Sequence, residues 1–305
     1  MRISTQTLYE NGAARLGELQ SSLVKTQQQV ASGRRILSPS DDPVAAARAL
    51  EITQSQSLNT QYGLNRQHAK SALASVEGAL TSVTSLLQDV KTTVIAAGNG
   101  ALSDTERGFM ATELRGRFEQ LMGLANSRDG MGNYQFAGFQ TTTPPFAEVA
   151  TGIVQYQGDQ GQRLMQVDST RQMAVSNTGA AVFQGGGQDI FDTLNDLITL
   201  LQTSVVDGAS MTALTTGLDT ANGNLDLALD NVLTVRASVG SRLQELDALD
   251  SAGEDRNIQY SQTLSDLQDL DYTKALTQLT QQQVILEAAQ RTFVTISGLS
   301  LFNYL

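Results

Sequence analysis

His68 is the only histidine of the chain, so any imidazole-assisted chemistry of the Ser-His-Asp kind has to pass through it. It stands just before a run of heptad-spaced apolar residues, a position that reads as helix surface rather than as a base or a metal ligand. Calcium would need an Asp-x-Asp-x-Asp-Gly loop closed by a glutamate. Neither Glu254-Asp255 nor the acidic stretch from Asp266 to Asp271 has that spacing, and both read as solvated helix faces. Gly185-Gly186-Gly187 is followed by Gln188, not by the Gly-Lys-Ser/Thr of a phosphate loop, and reads as a flexible strand-to-helix link. Carboxylates can act as general acids in hydrolysis, and Glu148, Asp159 and Asp168 are the candidates in the glycine-rich middle of the chain. With no cysteine there is no thiolate nucleophile, thiolate metal site or disulfide. No catalytic, cofactor-binding or metal-binding set emerges, which points away from enzymes.

The residues that are ordered most regularly are apolar. Leu73, Val76, Leu80, Val83, Leu87, Val90 and Val94 alternate spacings of three and four, the seam of a coiled coil. Met211, Leu214, Leu218, Ala221, Leu225, Ala228, Val232, Val235 and Val239 repeat the pattern, then shift by one residue into Leu243 and Leu246. Ala111, Leu114, Phe118, Leu121 and Ala125 make a shorter stripe, and Leu16, Leu19, Leu23 and Val30 another. Asp41, Asp42 and Pro43 mark a helix start, because the carboxylates can accept the first free amide hydrogens and proline fits the first turn. Gly98-Asn99-Gly100 ends that helix, and Ser103-Asp104-Thr105-Glu106 is a capping box that starts the next, so the two are expected to pack antiparallel. The glutamine runs from Gln27 to Gln29 and from Gln281 to Gln283 read as helix surface.

Between about Asp129 and Gln188 glycine, threonine and proline replace the heptads. Ile153 to Gln157 and Arg163 to Val167, joined through Gly158-Asp159-Gln160-Gly161, read as a β-hairpin. The expected fold is therefore mainly α: an elongated antiparallel helical bundle or coiled-coil rod, with a small inserted β-rich domain and terminal helices that order on assembly. The divisions expected are residues 1–42 and 271–305 as terminal assembly helices, 43–130 and 189–270 as the two parts of the rod, and 131–188 as the insertion. Because the heptads lie outside it, removal of residues 135–185 is expected to leave the helices folded.

Both chain ends look unfinished. The first 37 residues carry few strong apolar side chains, among them Ile3, Leu8, Leu16, Leu19, Leu23 and Val30, too few to offset the ordering of their backbone alone. From Leu279 onward the only charged side chains are Glu287 and Arg291, while Leu286, Phe293, Ile296, Leu299, Leu301, Phe302, Tyr304 and Leu305 supply apolar surface. Ends of this kind are expected to order by packing against each other and against neighbours. Twenty Lys and Arg against 31 Asp and Glu give a net charge of -11, which repels phosphate backbones and anionic membranes, so neither nucleic acid nor membrane is an expected partner. No apolar run approaches the roughly 20 residues of a membrane span, and Met1 to Gln6 lack the apolar core of a secretory signal.

Val30-Ala31-Ser32-Gly33-Arg34-Arg35-Ile36, followed by Pro39-Ser40-Asp41-Asp42-Pro43-Val44-Ala45-Ala46, resembles the amino-terminal signature of the flagellin superfamily. The Ser40-Asp41-Asp42-Pro43 form is that of hook-associated members of the superfamily. Tyr134-Gln135-Phe136-Ala137-Gly138, Thr143-Pro144-Pro145-Phe146, Tyr156-Gln157-Gly158-Asp159 and the ending from Ile296 to Leu305 are similar to the same family, so the resemblance spans the chain. It implies a structural subunit of the bacterial flagellum joining hook to filament, outside the cell, exported unfolded by the flagellar type III pathway with a dedicated chaperone and no cleaved signal peptide. It further implies a ring of identical subunits whose terminal helices pair around a central channel. The hook-side junction protein, the first hook-associated protein, would lie below and flagellin above. Flagellin itself, the bulk filament subunit, is the alternative within the superfamily, and a wall hydrolase acting from the insertion is the alternative outside it.

Overall fold

The fold is that of a computed structural model in which residues 2–298 are described, with backbone alone at 2–6, 8, 297 and 298. Seven helices dominate the described residues: α1 (Arg2–Ser32), α2 (Pro43–Ala97), α3 (Asp104–Ala125), α4 (Gly179–Phe183), α5 (Ile190–Gln202), α6 (Gly208–Gln268) and α7 (Tyr272–Gly298). Four short strands lie between α3 and α4: β1 (Phe146–Ala150), β2 (Ile153–Tyr156), β3 (Leu164–Asp168) and β4 (Arg171–Ala174). The chain divides into two compact units, one made of residues 60–254 and the other of the residues before and after them. No helix among the described residues is long and apolar enough to cross a membrane.

In the unit of residues 60–254 the heptads do what their spacing implies. Leu73, Leu80, Val83, Leu87 and Val90 of α2 are fully buried, as are Ala111, Leu114, Phe118, Leu121 and Ala125 of α3 and Leu225, Val232, Val239 and Leu246 of α6. They form one core with Ile190, Phe191, Leu194, Leu197 and Leu201 of α5. The capping box forms as expected: Ser103 Oγ accepts the Glu106 amide at 3.3 Å, and the Glu106 carboxylate accepts the Ser103 amide at 2.8 Å. Ion pairs fix α2 antiparallel to α6, from Arg66–Asp250 at 2.5 Å and Lys70–Asp250 at 2.6 Å through Arg236–Glu77 at 2.8 Å to Lys91–Asp226. Those that stay partly exposed, Arg236–Glu77 and Lys91–Asp226, are worth ~1 kcal/mol or less each, so they set register more than stability.

The strands depart from expectation. β2 pairs antiparallel with β1, and β3 with β4, giving two separate two-stranded sheets; the hairpin expected between residues 153–157 and 163–167 does not form. The intervening loop is held elsewhere. Asp159 accepts the Phe139 amide at 3.0 Å and the Gly161 amide at 2.7 Å, and the Tyr156 hydroxyl donates to the Asp159 carbonyl at 2.7 Å. The tight turn that pairs β1 with β2 instead runs through Gly152, whose φ of 79° suits glycine and whose Cβ position is filled by the Asn195 side chain.

Nor is the insertion independent of the helices. Phe146 of β1 lies with ring centroids 5.2 Å from Phe191 of α5, 5.3 Å from Phe183 of α4 and 5.1 Å from Tyr156. Phe118 of α3 meets Phe191 edge-on at 5.8 Å. Phe136, Val154, Val167 and Met173 belong to the same core as the heptads, so residues 135–185 are not removable without opening it. Asn126, just past α3, completes the seam by exchanging two hydrogen bonds with the Phe146 backbone at 2.9 and 3.0 Å. Phe146→Ala is expected to destabilise the whole unit by about 3–5 kcal/mol. Urea unfolding followed by helical circular dichroism checks this, and a loss confined to strand signal with an unchanged helical midpoint would contradict the shared core.

Candidate assembly surface

Two of the carboxylates that hydrolysis would need, Glu148 and Asp159, are occupied structurally. Glu148 accepts from Arg115 at 2.7 Å and from the Gly152 amide at 2.6 Å, and both Glu148 and Asp159 are held below the usual carboxylate range, chiefly by backbone amides. A general acid needs the opposite shift. His68 is exposed on α2. Gly186 and Gly187 take φ of 69° and 89° in the α4–α5 link, and no group of metal-binding residues occurs among the described residues.

The terminal helices form their own unit with the start of α2 and the end of α6. α1 and α7 pair antiparallel. Gln282 donates to Ser22 Oγ at 2.9 Å, and Phe293 packs against Tyr9 at 5.0 Å between ring centroids. Gly12 lets that ring in, because a Cβ there would stand 2.8 Å from it. Leu16, Leu19, Phe293 and Ile296 line one groove of this pair, Ile296 being 48% exposed, and Leu23 and Val30 of α1 and Leu286 of α7 are half-buried. Ile3 and Leu8 are described only as backbone positions of α1, and Leu299, Leu301, Phe302, Tyr304 and Leu305 lie outside the described residues. Gln282 is not mere helix surface: its amide oxygen is buried within the pair.

The two breaks in the helices of this unit lie side by side. α1 ends at Gly33, whose φ of 68° sets the turn and whose α-carbon faces the Tyr272 hydroxyl. The Leu270 amide donates to the Gly33 carbonyl at 3.0 Å, and the Arg35 amide donates to the Gln268 carbonyl at 2.7 Å. The start signature then divides its labour. Asp42 caps α2 by accepting the Ala45 amide at 3.0 Å, and Pro43 is the first residue of that helix. Asp41 does not cap the helix; its Oδ2 accepts the Leu37 and Ser38 amides at 3.0 Å each, and its Oδ1 takes the Lys25 ammonium at 2.7 Å. The Lys25 bond, with those amides, pulls its carboxyl from 3.8 to about 2.

What distinguishes this unit is how little it buries. Among its described residues the buried apolar side chains are the alanines Ala45, Ala49 and Ala275. Val294 is 68% exposed, Val284 63% and Leu50 71%. A groove of about 340 Å³ opens between Leu16, Leu19, Phe293 and Ile296, and another of about 260 Å³ beneath Ile36, Leu37 and Leu50. The charged pair on the carboxyl side, Glu287 and Arg291, neutralises itself at 2.5 Å. The surface carries exposed apolar side chains at Val284, Ile285, Val294 and Ile296, is grooved, and is free of net charge along α7 from Leu279 to Ile296, which suits packing against another protein surface.

Comparison with known proteins gives the same direction. The family model described as the bacterial flagellin N-terminal helical region matches residues 3–141. Flagellar hook-associated protein 3 of Salmonella typhimurium is 38% identical over 317 aligned residues, covering 99% of each chain. Flagellin of Bacillus subtilis is 26% identical, over 95% of this chain and 94% of its own. In structure, the flagellar junction protein FlgL of Legionella pneumophila superposes with a TM-score of 0.65 at 21% identity, covering 73% of this chain and 100% of that one, a likeness of fold.

Asp41→Asn is expected to loosen the α1–α2 connection. A depressed carboxyl contributes stability above its ordinary value of 3.8 and loses it as pH falls toward about 2, so variant and parent should differ near neutrality and converge at the acid end of that window. Melting temperatures measured across it check the expectation; a difference that persists at the lowest pH would show that the carboxylate charge is not what holds the loop.

Proposed function

Since this chain belongs to the flagellar hook-associated protein 3 family, we propose that it is the structural subunit joining hook to filament, and that copies polymerise as a ring through their paired terminal helices. Its place is the bacterial flagellum. The observation that carries the mechanism is the unit of α1 and α7, whose large apolar side chains are left partly open among its described residues. A neighbouring copy presenting the same pair would cover them, and each side chain taken fully from water adds roughly 1.5–3 kcal/mol. Ile3, Leu8, Leu299, Leu301, Phe302, Tyr304 and Leu305 belong to the same proposed surface.

On this reading residues 1–42 and 271–305 are assembly segments that complete their ordering on contact with neighbours. Residues 43–130 and 189–270 form the two parts of the rod that carries them, and residues 131–188 are the β-rich insertion. The axial partners are the first hook-associated protein on the hook side and flagellin on the other. A flagellar type III export chaperone shields the apolar ends beforehand, and the subunit leaves the cell without a cleaved signal peptide. The role is structural, not catalytic.

Val294→Asp and Ile296→Asp test the mechanism. Both side chains are exposed in the single chain, so the monomer's melting temperature should hardly move. Buried between copies, an unpaired carboxylate costs several kcal/mol, which weakens assembly about a thousandfold at ~1.4 kcal/mol per tenfold. Cells carrying either variant are expected to export it, build hooks without filaments and shed flagellin into the medium. Normal swimming with attached filaments would refute assembly through this surface, and a sharp fall in monomer melting temperature would place these side chains in an intramolecular core instead.

A further inference from the structure

The chain holds three Asn-Gly pairs, Asn11-Gly12, Asn99-Gly100 and Asn222-Gly223. We propose that Asn99 is a site of spontaneous backbone-driven deamidation, and that the fold protects the other two. In this chemistry the amide nitrogen of the following residue attacks the asparagine side-chain carbonyl carbon. A carbon–nitrogen bond forms there, the bond to the side-chain nitrogen breaks, and ammonia leaves with the proton given up by the backbone amide. Water then opens the resulting succinimide at either carbonyl, leaving aspartate or isoaspartate, with no oxidant or reductant involved. The step needs a backbone N–H that is not already committed, a chain able to twist, and no side chain on the attacking residue.

Gly12 lies inside α1 and Gly223 inside α6, where each N–H is committed to the carbonyl four residues back and helical geometry holds it away from the preceding side chain. Gly100 stands in the turn between α2 and α3. Its N–H makes no hydrogen bond among the described residues, and nothing lies within 4 Å of the place a Cβ would take. Asn99 is exposed. The turn closes around this bond without using it: the Asn99 amide donates to Ala96 O at 3.2 Å, and the Leu102 amide donates to Asn99 O at 3.1 Å. The Ala101 amide donates to Asn99 Oδ1 at 3.1 Å, which polarises the carbonyl that is attacked. The product places a carboxylate just beyond the carboxyl end of α2, where the helix dipole disfavours negative charge, or lengthens the turn backbone by one methylene.

The test is peptide mass spectrometry with isoaspartate detection on the folded full-length chain, aged at mildly alkaline pH, beside the same chain aged in urea. Conversion of residue 99 to acid, with residues 11 and 222 still amides, is expected in the folded chain, whereas all three convert in urea. Gly100→Ala should slow conversion at residue 99 several-fold, by restoring the side chain that hinders attack. Equal conversion at all three sites in the folded chain, conversion at 11 or 222 ahead of 99, no conversion at 99 while the urea sample converts, or indifference to Gly100→Ala would each overturn the proposal.

Discussion

Two helices laid side by side can bury one stripe each and no more, because there is no third wall. α1 and α7 are in that position. Leucines and a phenylalanine lie along their seam, yet each stays partly open, and residues on the next face of α7, such as Val284 and Val294, stay largely exposed. The unit of residues 60–254 escapes the constraint because α3, α5 and the aromatic residues of the strands close over α2 and α6. The same kind of heptad sequence thus yields a finished core in one unit and an unfinished surface in the other, and the difference lies in the number of neighbours rather than in side-chain chemistry.

Charge follows the same partition. The unit with the chain ends holds nine Lys or Arg against ten Asp or Glu, while residues 60–254 hold 11 against 21. Nearly all of the net charge of -11 therefore belongs to the unit of residues 60–254. From Gln172 to Val235 there is no basic residue at all. Like charges repel, so contact with another negatively charged surface costs least where charge is lowest, as in the unit that holds α1 and α7. At the breaks between helices the charges are instead used locally, with Lys25 and Arg35 drawn to Asp41 and Asp42.

The helices were legible because a period of three and four is a property of one segment. Leu73 to Val94 and Ala111 to Ala125 needed no knowledge of partners to be placed in a core. Strand pairing is a relation between segments, and a period of two does not name its partner, so the spacing suggests β2 against β3 whereas Gly152 turns β2 back onto β1. α5 carries a readable signal, since Ile190, Leu194, Leu197 and Leu201 repeat at helical spacing, but its 13 residues are too short a run to stand out beside the heptads. On the assembly surface the apolar positions could be read, whereas Gly12, Ser22, Tyr272 and Gln282 could not, because their use depends on a partner some hundreds of residues away. Asp41 and Asp42 look interchangeable as letters; only the path of the chain gives one to the loop and the other to the helix.

The Ser22–Gln282 bond joins residues separated by 260 positions in the chain. Closing so long a loop is entropically costly, though the cost grows only as the logarithm of its length, about 0.6 kcal/mol for each doubling. The kinetic effect is larger, because contacts that close distant segments must await a chance encounter that local helical contacts do not. Whichever end of the chain is free first, α1 and α7 cannot pair until both ends are present. Pairing of α1 with α7 is thus a late step in the folding of each molecule, one that only a chain with both ends present can take.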